Sequence, residues 1–157
     1  MRTLIAGLLI SLTAALSAGA EPSVKIINFT ADWCPNCQIL NPRLEEAMES
    51  FEAGSIERVD LDVTRIRPSS SAVERGELQT ELLLLADQHQ VAYLWDWYGG
   101  VTGIAVAVAA DNGEPLTCFM RPMTAEAIQK RLNLARILAE RGTPGERKPE
   151  GPDCPVL

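Results

Sequence analysis

The chain has 157 residues, with 14 Lys and Arg against 21 Asp and Glu, for a formal net charge of −7. That length is one domain with an ordinary core once a leader is set aside. An acidic chain without a basic patch argues against nucleic acid or an anionic membrane as partner.

The first twenty residues read as a signal peptide. Arg2 gives a short positive start, Leu4 to Leu16 is mostly apolar, and Ala18-Gly19-Ala20 ends in a small-x-small pattern. Cleavage is expected before Glu21, leaving a domain over 21–142 and a tail over 143–157. The apolar stretch is short for a membrane span, and no Cys follows the cleavage site to take a lipid. The product is therefore expected to be exported, and periplasmic if the source is a Gram-negative bacterium. Four cysteines in such a chain are read against an oxidising compartment.

Val24 to Thr30 reads as a buried strand. It leads into Trp33-Cys34-Pro35-Asn36-Cys37, where Pro35 suits a first helical turn. Ile39, Leu40, Leu44, Ala47, Met48 and Phe51 then recur at helical spacing, with Glu45, Glu46 and Glu49 on the other face. Pro42 predicts a kink. Val59, Leu61 and Val63 alternate with Asp60 and Asp62 as in a strand. Arg65 to Gly76 reads as a loop, although Ser71 and Glu74 have the spacing of a capping box. A second helix is expected through Leu78, Leu82, Leu85 and Ala86, ending near Gln90.

Tyr93, Trp95, Trp97 and Tyr98 include both tyrosines and two of the three tryptophans. Ile104 to Ala109 suits a central strand covered on both faces. Asp111-Asn112-Gly113 signals a hairpin, and Leu116 to Met120 is the returning strand. Thr124 caps a last helix that Gly142 ends. Prolines and glycines crowd the tail, which reads as disordered. The order is β-α-β-α-β-β-α. The first three strands connect through helices and are expected to be parallel, with the hairpin adding an antiparallel edge.

This order resembles the thioredoxin superfamily. The match is carried by Ala31-Asp32-Trp33-Cys34-Pro35-Asn36-Cys37, Pro42, Asp62, Gly103-Ile104 and the Asn112-Gly113 hairpin, and the Cys motif is similar to that of periplasmic thiol:disulfide reductase domains. The resemblance implies an α/β thioredoxin-like fold, a central mixed sheet flanked by helices. It also exposes three departures. The strand that usually opens the fold is missing. Asn28 stands where the family usually has a buried Asp. Ala105 stands where it usually has a cis-proline, so the Ile104–Ala105 bond is expected to be trans.

Cys34 at a helix start is the expected nucleophile, and Cys37, one turn on, would resolve the mixed disulfide. Trp33, Pro35, Asn36, Asn28, Ile104 and Ala105 are the supporting residues. Asn36 adds no cation, which favours a reductant or isomerase over a strong oxidant. Asn28 cannot take a proton from Cys37, so Asn28→Asp is expected to speed turnover. Arg58 then has no acid at position 28 and reads as an ordinary exposed Arg. Trp95, Trp97 and Tyr98 read as either a substrate-recognition lip or a satellite core covering the edge left by the missing strand. Cys118 and Cys154 could pair with each other, bridge two chains or exchange. His89, the single His, reads as structural.

The leading expectation is an exported thiol–disulfide oxidoreductase acting on protein thiols and disulfides and served by an upstream membrane or periplasmic electron donor. It needs no cofactor beyond the Cys34–Cys37 disulfide and no metal. Two other readings stay open. One is a copper carrier using Cys34 and Cys37, with His89 or Cys118 as helper. The other is a redox-inactive protein-binding module built on residues 93–98.

Overall fold

The computed structural model describes residues 21–155, so the expected signal peptide lies outside the described residues. Four strands form one sheet: β1 (Val24–Thr30), β2 (Ile56–Asp62), β3 (Ile104–Ala109) and β4 (Pro115–Met120), in the spatial order β2-β1-β3-β4. The helices are α1 (Pro35–Met48), α2 (Ala72–Gln88), α3 (Tyr93–Tyr98) and α4 (Ala125–Arg141). This is the mixed, helix-flanked sheet of the thioredoxin-like fold.

Period-2 side-chain alternation decides what each face of the sheet holds. Val24 and Ile26 of β1, with Ala105, Ala107 and Ala109 of β3, meet Leu40 and Leu44 of α1 and Ile128 and Leu132 of α4. Ile27 and Phe29, with Ile104, Val106 and Val108, meet Leu78 and Leu82 of α2 and Leu94 and Tyr98 of α3. The three alanines of β3 give the α1–α4 layer room to sit close. Each fully buried Leu, Ile or Phe in these layers is stabilised by about 1.5–3 kcal/mol.

The strand directions correct one expectation. β1 and β2 are parallel, but β3 runs antiparallel to β1, with Phe29 opposite Ile104 and Val24 opposite Ala109. The cause is the extra helix. After β2 the chain descends the sheet through α2 and climbs back through α3 and residues 99–103. It therefore enters β3 at the end where β1 finishes. Gly103 N–H donates to Phe29 O at 2.8 Å at that end, while Gly113 of the hairpin lies against Gln90 at the other. The hairpin does supply an antiparallel edge strand, β4.

α2 also starts earlier than expected. Ser71 Oγ accepts the Glu74 N–H, and the Glu74 carboxylate accepts the Ser71 N–H, so both halves of the capping box form. That cap nucleates the helix at Ala72, ahead of its apolar stripe.

Among the described residues no strand precedes β1, and β2 is left as a sheet edge. The aromatic residues do not cover it. They form α3, which packs on the sheet face against Phe29. Charged Glu57, Arg58, Asp60 and Asp62 line β2 instead, a composition that discourages pairing with another chain.

The tail is placed against the domain, contrary to the expected disorder. Arg147 is 6% exposed and its guanidinium meets Asp111 Oδ2 at 2.7 Å and Glu114 Oε2 at 3.4 Å. The hydrogen bond from Arg147 holds the Asp111 carboxyl below the usual range. Burial pushes Glu114 up, but the Gly145 and Arg147 N–H groups, Asn112 and the Arg147 charge together hold it down. Further on, Asp153 bridges to Thr117 of β4, Cys154 is bonded to Cys118, and Tyr98 Oη donates to Pro155 O at 2.9 Å. Of the three fates considered for Cys118 and Cys154, the structure has the intramolecular pair.

Candidate active site

The turn between β1 and α1 is built by its own residues. Cys34 N–H donates to Ala31 O, closing the turn. Cys34 is the N-cap of α1 and its Sγ accepts the Cys37 N–H at 3.1 Å. Pro35 takes the first helical position, where its missing N–H costs nothing. Cys34 and Cys37 are bonded to each other, with their Cα atoms 5.2 Å apart. Both are nearly buried, at 3% and 1% exposure. Cys37 Sγ lies 4.0 Å from Phe29 O, over the end of β1.

The loop before β3 closes on this turn. Gly103 has φ +85°, and a Cβ there would stand 2.5 Å from Asn36 Cβ and 3.5 Å from Cys34 Sγ. Only glycine lets the backbone approach the cysteines this closely. In the sequence Gly103 marks only the entry to a strand. The signal available was a Gly immediately before a β-branched run, and its functional weight depends on a long-range contact. Ile104 and Ala105 follow, both buried, and no peptide bond among the described residues is cis, so Ile104–Ala105 is trans.

Two clefts flank the cysteines. One, of about 340 Å³, is lined by Asn36, residues 101–104, Met120, Arg121, Pro122 and the tail's Pro155. The other, of about 450 Å³, lies between Trp33 and Ile66, Arg67, Pro68 and Arg75. Trp33 is 45% exposed and contributes an apolar surface beside the turn. Arg67, which lines the second cleft, is paired with Asp32 at 3.2 Å.

Asn28 is fully buried beneath α1, and its surroundings were not visible in the sequence. Its Nδ2 donates to Asp60 Oδ1 at 2.7 Å and to Asn41 Oδ1 at 3.2 Å. Asn41 in turn donates to Thr30 Oγ1 at 3.0 Å. Asp60 is the register partner of Asn28 on β2 and also accepts from Arg58 Nε at 2.8 Å. Arg58 is therefore not an unpaired surface residue. Its side chain is mostly covered and bridges Asp60 and Glu45. A carboxylate does stand beside position 28, supplied by the neighbouring strand.

The other candidates fall elsewhere. Tyr98 is 2% exposed and Trp95 packs on Phe29, so both belong to the α2–α3 layer, whereas Trp97 is 43% exposed. Burial pushes the Tyr98 phenol up and keeps it a hydrogen-bond donor. His89 faces Glu57 at 4.0 Å, and Cys118 is taken up in its disulfide. Among the described residues no group of three or more His, Cys, Asp or Glu is placed to hold a metal ion. No helix among them is long and apolar enough to cross a membrane.

Residues 14–88 match the thioredoxin family model, and the cysteine turn falls within that match. The chain is similar to the thioredoxin family over that stretch, just under half of its length. No curated protein matches it. Among solved structures it is similar to a thioredoxin-family thiol:disulfide interchange protein from Chlorobium tepidum TLS. That pair shares 16% identity over 73% of this chain and 80% of the other, with a TM-score of 0.46. It is also similar to StoA from Bacillus subtilis, at 18% identity over 72% and 84%, with a TM-score of 0.43. A third is tryparedoxin II from C. fasciculata, at 19% identity over 78% and 74%, with a TM-score of 0.38.

Proposed function

We propose that this protein is an exported thiol–disulfide oxidoreductase that exchanges disulfides with protein partners through Cys34 and Cys37. The observation that carries the reading is the bonded pair at the start of α1, with Cys34 Sγ accepting a helix N–H and the Gly103 loop against it. In the dithiol form, the unpaired N–H groups and the positive end of the helix dipole favour the Cys34 thiolate. That thiolate attacks a partner disulfide. One partner sulfur leaves with the electron pair and a mixed disulfide forms. Cys37 then attacks Cys34 Sγ, releases the second partner sulfur, and the enzyme is left oxidised. The net result moves two electrons to the partner, and an upstream membrane or periplasmic donor returns the enzyme to the dithiol.

Asn36 contributes no charge between the cysteines, so the thiolate lacks the extra stabilisation that makes a strong oxidant. We therefore assign the protein as a reductant or isomerase. The Leu4 to Leu16 segment supports export and, in a Gram-negative source, a periplasmic site of action.

Trapping tests this. With Cys37→Ala, the mixed disulfide on Cys34 cannot be resolved and should accumulate on partner proteins in the exported fraction. The double variant Cys34→Ser, Cys37→Ala should capture none. Equal capture by both variants would refute the assignment.

A further inference from the structure

The cleft between the cysteine turn and the end of β4 carries a charge that no carboxylate answers. Arg121 is the charged residue among its described lining residues, and it is exposed. Its guanidinium donates to Oδ1 of Asn36, which stands between the two cysteines, at 3.5 Å. Among the described residues it forms no ion pair. The cleft beside Trp33 differs. There Arg67 already faces Asp32, and Arg75 is bonded to the carbonyls of Arg67, Pro68 and Ser70.

The turn that presents Arg121 is held in place. Arg43 reaches across from α1 and donates to Arg121 O at 2.6 Å and to Met123 O at 2.8 Å. Met123 N–H closes the turn on Met120 O. A cation on a backbone already fixed loses less freedom when it binds. Gly103 also lines this cleft, and a Cβ there would stand 3.5 Å from Cys34 Sγ, so a segment lying in the cleft passes beside the nucleophile. The present contact of Arg121, long and to a neutral amide, is weak. A carboxylate offers the same guanidinium two shorter, charge-assisted bonds. The net charge of −7 disfavours a broadly acidic partner, so the complement is a single acid and not an acidic surface.

We propose that this cleft takes an extended partner segment whose cysteine has an Asp or Glu beside it, and that Arg121 is the residue that selects it. This rests on reading Cys34–Cys37 as the redox couple. Val101, Ile104, Met120 and Pro122 cover the segment's apolar atoms. Arg121 exchanges its contact with Asn36 for the partner's carboxylate.

Binding is measured without exchange. The oxidised protein is titrated at low ionic strength with short peptides that carry serine in place of cysteine, with Asp, Asn or Lys on both sides of it. Amide shifts are followed by NMR. The Asp peptide should bind about fivefold more tightly than the Asn peptide, the upper range for one exposed pair. The Lys peptide should bind more weakly than either, and the shifts should centre on Asn36, Gly103 and Arg121. Arg121→Gln removes the charge but keeps an N–H for Asn36, and should bring the Asp and Asn peptides level. Arg121→Lys should keep part of the preference. Lys130→Gln makes the same change in net charge on the exposed face of α4, outside the cleft, and should leave the preference intact. A parent without preference for Asp over Asn overturns the proposal. So does a preference that survives Arg121→Gln, or one lost equally in Lys130→Gln, which would mean net charge alone. If the same peptides with cysteine restored, as disulfides, failed to oxidise the reduced protein, the functional reading would fall instead, because the titration needs no exchange.

Discussion

Replacing Cys154 with serine should lower the unfolding free energy by about 4 kcal/mol. Cys118 and Cys154 are 36 residues apart in sequence, and closing a loop of that length removes this much freedom from the unfolded chain. For a domain of this size the midpoint of thermal unfolding should fall on the order of 10–20 °C. The Cys118 thiol left behind is fully buried and should stay inert. The effect is not confined to the termini. The bond fixes the tail beside β4, and Pro155 lines the cleft that also contains Asn36. Calorimetry under non-reducing conditions measures it. A midpoint within a degree of the parent's would mean that the bond staples nothing.

Asn28→Asp should weaken the fold as pH rises. The sequence alone predicts a faster enzyme, because the substitution restores a proton acceptor near Cys37. The structure places Asp60 against that position, 2.7 Å from Asn28 Nδ2. Two carboxylates at that separation cannot both ionise, so one holds its proton to a pH well above the ordinary carboxylate range. A folded-state pKa raised above the unfolded value leaves stability intact below about pH 4 and removes it as pH climbs through the folded value. Urea unfolding should give similar stabilities for the variant and the parent at pH 4. At pH 8 the variant should be weaker by about 3 kcal/mol, corresponding to a shift of about two pKa units. Any gain in turnover should appear only on the alkaline side, where the shared proton is lost. Adding Asp60→Asn should restore the stability at pH 8. A single variant as stable as the parent at pH 8 would show that the two side chains separate freely.

The parts of this fold that were legible in the sequence are those written in local spacing. The cysteine turn, the helix after it, the all-apolar β3 and the hairpin each depend on residues within a few positions of one another. The family resemblance rests on the same stretches. What was not legible depends on contacts between distant segments. The direction of β3 is not legible because α3 is only six residues long, and its aromatic composition hides a helical period. The tail looked disordered by composition, yet Arg147 finds Asp111 and Glu114, and Cys154 finds Cys118. The pairing of Arg58 and Asn28 is not legible because their shared partner, Asp60, is contributed by strand register. The capping box at Ser71 was visible, but its reach back to Ala72 was not, since the first turn of α2 carries no apolar stripe.

The central claim is that Cys34 and Cys37 form a reversible redox couple, and equilibration in glutathione buffers of graded ratio tests it most directly. Differential alkylation followed by mass spectrometry reports the fraction of the pair that is bonded. The expected result is a reversible two-electron transition of thioredoxin-like magnitude, about −270 mV, approached equally from the oxidised and the reduced protein. A pair that stays bonded across the whole range, or that opens and does not close again, would contradict it.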